Sequence, residues 1–354
     1  MSHHIVINIY VYKSGTLLNN CIFTSSIMDS ITQIVLGAAC GEAILGKKIG
    51  NRALLFGAIG GTIPDLDVFV GKILYNNEID SMAFHRGFMH SFLFAILGAI
   101  AFGALVFWFY NRGKRYGMTT QKDWMWLFFA SIFTHPILDS FTAYGTQLFA
   151  PFSNYRVAFN NISVADPLYT LPFLVLLIVV MFLKRTSSKR RLFLKLGLGV
   201  SSFYMMFTLV NKYHVHGVYK RALAEEQIDY LRFQTQPTIL NNFLWYGIAE
   251  TTDAYFVGFY SILDATPTVS KWHRLPKNHD LLGDMPKDLE TLSWFSGGYY
   301  NLSETSDPNT FLYKDLRYPM MDENDPNSTI FKFTITKKED RWEATPFNVP
   351  DVNR

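Results

Sequence analysis

The chain has little of what disulfide-stapled or nucleic-acid-binding proteins depend on. It contains two cysteines, Cys21 and Cys40, among 354 residues, so neither a disulfide framework nor a cysteine metal motif is expected. Charged residues make up 17%, and the formal net charge of +3 is too small to indicate a nucleic-acid partner. A β-prone run at residues 5–12 lacks the basic start and small-residue cleavage site of a signal peptide. What remains is an apolar chain with a mean hydropathy of +0.10.

The apolar residues are concentrated before about residue 213, and this shift predicts three parts. Residues 1–27 are expected to be a poorly ordered N-terminal extension, because a helix-start signature follows at Met28, with Asp29 or Ser30 able to cap it. Residues 28–213 are predicted to form an α-helical integral membrane bundle that contains a metal site. Residues 214–354 are predicted to form a small soluble α+β domain.

Six apolar stretches are predicted to be membrane segments, at about 31–45, 53–63, 91–110, 124–141, 168–183 and 192–213. The first two are shorter than the roughly 20 residues that a full span needs. Both are rich in glycine and alanine, which favours close packing of one helix against another.

Lysine and arginine are concentrated in alternate loops, at 47–52, 112–122 and 184–191. The positive-inside rule places such loops in the cytoplasm and the remaining loops, with the tail after residue 213, on the outer side. The three polar motifs described next then meet at one face of the membrane.

The C-terminal part carries strand signals. Two β-prone runs at 243–249 and 254–260 flank a polar turn, which predicts a hairpin. Residues 329–335 alternate between apolar and polar side chains, as a half-buried strand does.

Imidazole and carboxylate groups occur in three clusters beside the apolar segments, and such groups are the usual ligands of divalent cations. The clusters are Asp65 and Asp67 after Pro64, His85 and His90 around Arg86-Gly87, and His135 with Asp139. Each has a structural alternative: a helix cap, a pair of interfacial polar anchors and a buried hydrogen-bonded pair, respectively. Glu42 and Asp166 are second-tier candidates, as consistent with a structural role as with a functional one. Because the three clusters are expected at one membrane face, we interpret them jointly as a metal site.

A shared metal site requires particular backbone conformations at the histidine motifs. His135 and Asp139 are four residues apart and share one face of a helix, although Pro136 favours an extended conformation at His135. His85 and His90 need a break between them, which Gly87 allows.

These motifs resemble those of the YdjM-like group of bacterial inner-membrane proteins, described as LexA-binding and as metal-dependent hydrolases. The resemblance rests on the strings Met28-Asp29-Ser30-Ile31-Thr32, Pro64-Asp65-Leu66-Asp67, His85-Arg86-Gly87-Phe88-Met89-His90-Ser91 and His135-Pro136-Ile137-Leu138-Asp139. It covers residue 28 to about the fifth segment and implies an integral inner-membrane protein with hydrolase activity. The chain departs from many members at two positions: Gln33 stands where they have a histidine, which removes one possible ligand, and Met89 stands where they have a threonine.

The leading hypothesis is a metal-dependent hydrolase that acts on a lipid or amphiphilic ester or phosphoester at the outer interface. The expected ligands of one or two divalent ions, zinc first and manganese or magnesium next, are Asp65, Asp67, His85, His90, His135 and Asp139. Arg86 is expected to neutralise charge that builds up on the substrate. Asp67 or Asp139 is expected to accept the proton of the attacking water.

Two other classes of protein compete with the hydrolase. One is a non-catalytic membrane protein with a structural metal clamp and a partner-binding outer domain. The other is a transporter that uses the intramembrane carboxylates. The expected surroundings are the lipid bilayer and a small-molecule or lipid substrate, without nucleic acid, and the sequence leaves the oligomeric state open.

Overall fold

The structure is a computed structural model, which describes residues 15–347 except 270, 284, 321–324, 326–327, 330 and 339–340. The run at 5–12 lies outside the described residues. The helices before the C-terminal part are α1 Gly15–Ile49, α2 Asn51–Thr62, α3 Asp67–Leu74, α4 Glu78–Phe84, α5 Phe92–Tyr110, α6 Gln121–Ser140, α7 Pro167–Phe182 and α8 Ser188–Glu225.

Since α1 begins at Gly15, the predicted helix start at Met28 is wrong. No proline between these two residues interrupts the helix.

The predicted close packing of small residues is found where α1 crosses α2. A Cβ atom added to Gly37 would lie 2.4 Å from the carbonyl oxygen of Gly57, and one added to Gly61 would lie 2.5 Å from that of Gln33. Any larger side chain would push the helices apart. This crossing brings Gln33 and the end of α2 next to α6.

The predicted six membrane segments are all helical, but six spans are not supported. Among the described residues, α5 and α8 are long and apolar enough to cross a membrane. A third span results if α2 and the 44° bend into Pro64–Leu74 are taken as one broken helix. Helix α7 is apolar but short, and α6 carries His135 and Asp139 within its length. Six apolar stretches do not give six spans, because several of these helices are covered by neighbouring helices and do not need an apolar surface on every side.

The three basic loops meet at one end of the helical region. The Lys48 ammonium lies 2.6 Å from a carboxylate oxygen of Asp123, and Arg185 donates a hydrogen bond of 2.7 Å to the Lys48 carbonyl. At the same end, the guanidinium of Arg190 in α8 makes two hydrogen bonds of 2.6 Å to the Glu42 carboxylate of α1. The helical region therefore has a basic end, and the motif residues lie away from it.

The C-terminal part contains two four-stranded antiparallel sheets and a short helix, α9 Lys287–Phe295. One sheet has the order β1 Arg232–Pro237, β2 Leu244–Glu250, β3 Ala254–Ser261 and β4 Trp272–Pro276. The other has β5 Tyr300–Glu304, β6 Thr310–Asp315, β7 Lys332–Lys338 and β8 Arg341–Pro346. The predicted hairpin is confirmed by the β2–β3 pairing. The predicted alternating strand is confirmed in β7, where Phe333 and Ile335 are buried.

Helix α8 passes without a break from the helical region into the sheet domain, although the sixth segment was expected to end at Tyr213. Its C-terminal half packs on the first sheet, where the Tyr219 hydroxyl donates to the carbonyls of Trp245 and Gly258, at 2.9 Å and 3.0 Å. A Cβ atom on Gly247 would lie 2.1 Å from the Tyr219 ring, so only glycine lets the helix approach this closely. The boundary between the two parts therefore lies inside one helix.

The second sheet and α9 pack against the segment that carries the motif histidines. Ile79 of α4 is fully buried in the core of this sheet. Asn77, which caps α4, donates a 3.1 Å hydrogen bond to Asp288 of α9, and the rings of Tyr144 and Phe295 lie 5.0 Å apart. The sheet domain thus helps to hold the loops beside the candidate site.

Candidate metal centre

The chain turns sharply at Arg86, between the two motif histidines. Helix α4 ends at Phe84, and Arg86 has φ of +59°, in the left-handed region that costs energy for a side chain with a Cβ. The conformation is held by the Arg86 amide, which donates to Asp67 Oδ2 at 3.0 Å, and by its carbonyl, which accepts from the Gln147 amide at 3.0 Å. The predicted break is present, but its positive φ is at Arg86 rather than Gly87. Gly87 is needed for space, since a Cβ there would lie 2.7 Å from the Phe84 carbonyl oxygen.

His90 is fully buried between the two motif aspartates. Its Nδ1 lies 3.0 Å from Asp67 Oδ2, and its Nε2 lies 3.5 Å from Asp65 Oδ1. The aspartates reach opposite nitrogens because Asp65 lies in the 3₁₀ turn Pro64–Leu66, whereas Asp67 begins α3. Asp67 thus faces Nδ1 of His90, and Nε2 on the other edge of the ring faces Asp65.

His135 and Asp139 lie on one face of α6, which continues through Pro136. The extended conformation that Pro136 favours at His135 is therefore not adopted. His135 Nδ1 lies 2.6 Å from the Gly61 carbonyl oxygen, so Nδ1 donates a proton, and in the neutral imidazole Nε2 then carries the lone pair. That Nε2 lies 3.5 Å from Asp139 Oδ2 and 3.1 Å from His90 Nε2.

Four donor atoms consequently surround one point: Asp65 Oδ1, His90 Nε2, His135 Nε2 and Asp139 Oδ2. The Nε2 atoms lie 3.4 Å and 3.5 Å from Asp65 Oδ1, and 3.4 Å and 3.5 Å from Asp139 Oδ2. Donors bound about 2.0–2.1 Å from a tetrahedral zinc ion lie about 3.4 Å from one another. Asp65, His90 and His135 form the group whose donor atoms all lie within 4.8 Å of one another, and this group does not include Asp139. The donor types and spacing fit a divalent metal ion.

Two further motif residues, Asp67 and His85, lie one hydrogen bond behind this ring. Asp67 is completely buried, and its Oδ1 lies 2.7 Å from His85 Nδ1 while its Oδ2 faces His90 and the Arg86 amide. Burial lowers the pKa of His85 against the opposing effect of Asp67, which favours the neutral imidazole. A carboxylate that holds the second nitrogen of a ligating histidine is a common supporting arrangement in metal sites.

Asp139 is held from two sides. Gln33 of α1 donates to its Oδ1 at 2.7 Å, and Arg86 Nε lies 3.2 Å from its Oδ2. The Arg86 guanidinium also donates to the Thr142 hydroxyl at 2.9 Å. Gln33 therefore acts on the site through Asp139. It stands at the position where the family resemblance implies a histidine.

The ring is closed on the α6 side and open on the opposite side. His90, His135 and Asp139 are 2% exposed or less, whereas the Asp65 side chain is 32% exposed and that of His85 is 23% exposed. Asp65 and His85 are therefore the site residues that are partly exposed. The structure thus brings together all six residues predicted from the sequence, four around one point and two directly behind.

Several residues at the site carried no signal in the sequence. The Gly61 carbonyl acts through its backbone, and Tyr144 and Arg156 belong to the long loop between α6 and α7, which has no recognisable motif. The two second-tier residues are engaged elsewhere. Glu42 pairs with Arg190. Asp166 caps α7 and accepts from the Tyr204 hydroxyl at 2.8 Å.

Comparison with known proteins gives two matches. The model of a protein family described as YdjM inner membrane protein matches residues 28–215. The uncharacterized protein YfhP of Bacillus subtilis (strain 168) is 31% identical over 147 residues, which are 40% of this chain and 42% of that protein. The chain thus matches less than half the length of this relative. No solved structure matches.

Proposed function

Because the chain belongs to the YdjM inner membrane protein family, we propose that it is a membrane-bound, metal-dependent hydrolase of lipid or amphiphilic esters. The observation that carries the proposal is the ring of donor atoms around one point, 3.1–3.5 Å apart where they face each other, with one open side at Asp65. The cost of burying histidines and aspartates together at such spacing is offset when they bind a cation.

The proposed ligands are Asp65, His90 and His135. A divalent ion, zinc by preference and manganese or magnesium otherwise, would lower the pKa of a bound water and polarise the scissile group. Three protein ligands with a fourth position left free are typical of catalytic zinc sites. Asp67, predicted as a ligand from the sequence, is assigned to orient His90, because both of its oxygens already accept hydrogen bonds. His85 is assigned to the wall of the open side.

Asp139 is proposed to accept the proton of the attacking water. Its Oδ2 lies at the fourth corner of the ring, beside both Nε2 atoms. Water adds to the scissile centre, its proton passes to Asp139, and the bond to the departing ester oxygen breaks, with that oxygen protonated from solvent. Arg86, 3.2 Å from the same carboxylate oxygen, is placed to stabilise negative charge that develops on the substrate.

An amphiphilic substrate is supported by exposed apolar side chains near the open side. Leu66 and Phe69 follow Asp65 along the chain and are 47% and 64% exposed. The ring of Phe149, 53% exposed, lies 5.7 Å from that of Phe92 at the start of the spanning helix α5. We propose that this side faces the outer interface of the inner membrane, because the basic loops lie together at the other end.

The competing function is a structural metal clamp, and Asp139 distinguishes it from the hydrolase. If Asp139 were a fourth ligand, the sphere would be closed, as in structural zinc sites. The test is Asp139→Asn in detergent-purified protein, with metal content and cleavage of phosphoester and carboxylester lipids measured side by side. The hydrolase requires that the variant keep its metal and lose activity by about 100-fold or more. Loss of the metal from the variant, together with an inactive metal-loaded wild type, would establish the clamp instead.

A further inference from the structure

The open side of the site is bordered by a cationic and aromatic group that the proposed reaction has not used. Arg156 donates to the His85 carbonyl oxygen from both terminal nitrogens at 3.4 Å and to the Gly145 carbonyl oxygen at 3.0 Å. Its guanidinium carbon lies 5.0 Å from the ring centres of Tyr144 and Phe295 and 5.4 Å from that of Trp294. Arg156 is therefore fixed in place next to His85.

These contacts position the guanidinium without neutralising it. Arg86 faces Asp139 and Arg317 is paired with Asp315, whereas no carboxylate within the described part of the chain pairs with Arg156. Its Nε is buried without a hydrogen-bond partner among the same residues. Burial lowers the pKa of Arg156 to about 10, which still leaves it charged at neutral pH. A half-buried cation that is held by rings and carbonyls keeps its attraction for an anion.

Tyr144 lies between this cation and the site. Its ring centre is 4.8 Å from the Arg86 guanidinium carbon and 5.6 Å from the His85 ring. Its hydroxyl makes no hydrogen bond to the residues that the structure describes. Burial raises the pKa of Tyr144, so the phenol stays protonated and can donate a hydrogen bond to an oxygen anion.

We propose that Arg156 and Tyr144 form a phosphate subsite beside His85, so that the ester cleaved is a phosphate ester. This inference rests on the proposed hydrolase and narrows its substrate class. A phosphodiester carries a permanent negative charge that would balance Arg156, whereas a carboxylic ester is neutral and would leave that charge uncompensated. The fixed geometry of the guanidinium suits it to phosphate oxygens.

The test uses the full-length, metal-loaded protein in detergent, with inorganic phosphate as the probe and thermal protection as the measurement. Arg156→Gln is expected to raise the half-saturating phosphate concentration about tenfold or more. Arg115→Gln is the matched control, because Arg115 also stacks on a tyrosine, Tyr110, at the basic end, and it is expected to change nothing. If Arg156 only stabilised the fold, Arg156→Gln would lower the melting temperature and leave the half-saturating phosphate concentration unchanged. That result would overturn the proposal.

Should Arg156→Gln fail to fold, Tyr144→Phe removes only a hydroxyl and is expected to weaken phosphate binding about threefold or more. An unchanged phosphate dependence in that variant would also overturn the subsite. The source of the phosphate is identified by competition. A short-chain phosphatidyl lipid that protects at lower concentration than inorganic phosphate indicates a lipid headgroup, and the reverse order indicates a free phosphate ester.

The subsite and the hydrolase can fail separately. A wild-type protein that cleaves neutral carboxylic esters and shows no phosphate protection would refute the subsite while the hydrolase stands. Phosphate protection that depends on Arg156, without cleavage of any ester, would refute the hydrolase while the anion subsite stands.

Discussion

Two groups of buried charges, at opposite ends of the helical region, differ in how completely they are satisfied. At the basic end, Arg190 and Glu42 form a two-pronged pair, and the remaining guanidinium nitrogen donates to the carbonyls of Val180 and Leu183. At the other end, the Nε2 atoms of His90 and His135 lie 3.1 Å apart and face two carboxylate oxygens, and with both imidazoles neutral and donating from Nδ1 no proton lies between these four atoms.

The difference separates a structural pair from a binding site. Each of the three guanidinium nitrogens of Arg190 donates to an acceptor, and the carboxylate balances its charge. In the ring, four acceptor-capable atoms converge, and a bound cation would supply the charge that they lack. Burial alone would not have distinguished them, because Arg190 and His135 are both almost inaccessible, at 2% and 1% exposed.

The largest expected effect comes from removing a ligand from the ring. His135→Ala should abolish metal binding and with it activity, because Nε2 is lost from the centre of the donor set. The protein should remain folded, since among the described residues the His135 side chain makes only one hydrogen bond outside the ring, to the Gly61 carbonyl. Metal content by mass spectrometry and secondary structure by circular dichroism would check both statements. His216→Ala is the control, because this histidine is exposed and stacks on Phe233; a normal metal content in His135→Ala would contradict the site.

The paired charges should respond in the opposite way. Glu42→Ala leaves Arg190 buried without its partner and should destabilise the protein by about 3–5 kcal/mol, with the metal content per folded molecule unchanged. Replacing both residues by methionine should recover most of the loss, since no unpaired charge remains. Chemical denaturation in detergent measures the two variants. If Glu42→Ala lowers the metal content of the folded fraction, the two ends are coupled and the contrast between them is wrong.

Asp67 tests whether a residue behind the ring acts through orientation. Asp67→Asn keeps the shape of the side chain but removes its charge, which weakens its interaction with His90 Nδ1. Metal affinity should therefore fall about 10–100-fold. Competition with a chelator of known affinity measures the change. A complete loss of metal, equal to that of His135→Ala, would make Asp67 a ligand as the sequence suggested.

The smallest effect is expected at Gln33. Gln33→Leu removes the 2.7 Å hydrogen bond to Asp139 and should reduce turnover several-fold, because the carboxylate loses one of its two supports. Gln33→His introduces the residue type that the family resemblance implies at this position, keeps a hydrogen-bond donor and should stay within about threefold of the wild type. If the histidine variant instead bound a second equivalent of metal, position 33 would be a ligand site that this chain has given up.

The sequence predicted which six side chains lie together, but not how they are arranged relative to one another. The spacing of His135 and Asp139 predicted a shared helix face, and the loop charges predicted that the motifs would lie together. Asp65 and Asp67, by contrast, are equivalent in sequence. Only the 3₁₀ turn that ends between them directs one to Nε2 of His90 and the other to Nδ1.

Other features depend on contacts between distant segments. Gln33 reaches Asp139 because the glycines of α1 and α2 let those helices touch, and Arg156 reaches His85 because α9 of the sheet domain lies over the intervening loop. Local patterns do not encode such long-range contacts. The six predicted helices followed from hydropathy. The number of spans did not, because hydropathy alone cannot tell a lipid-facing helix from one shielded by its neighbours.

Helix α8 has 38 residues and is therefore about 57 Å long, against about 30 Å for the hydrocarbon layer of a membrane. It is anchored near its start by Arg190 to Glu42, and further along by Asn211, whose side chain donates to Asn242 at 2.7 Å. Each residue turns a helix by about 100°. The number of residues between these two anchors therefore sets the rotation of the sheet domain about the α8 axis, relative to the helical region. Inserting or deleting one residue in α8 between the anchors would rotate α9 away from the partly exposed side of the candidate metal site. Only insertions close to a whole number of helical turns would keep α9 beside that site.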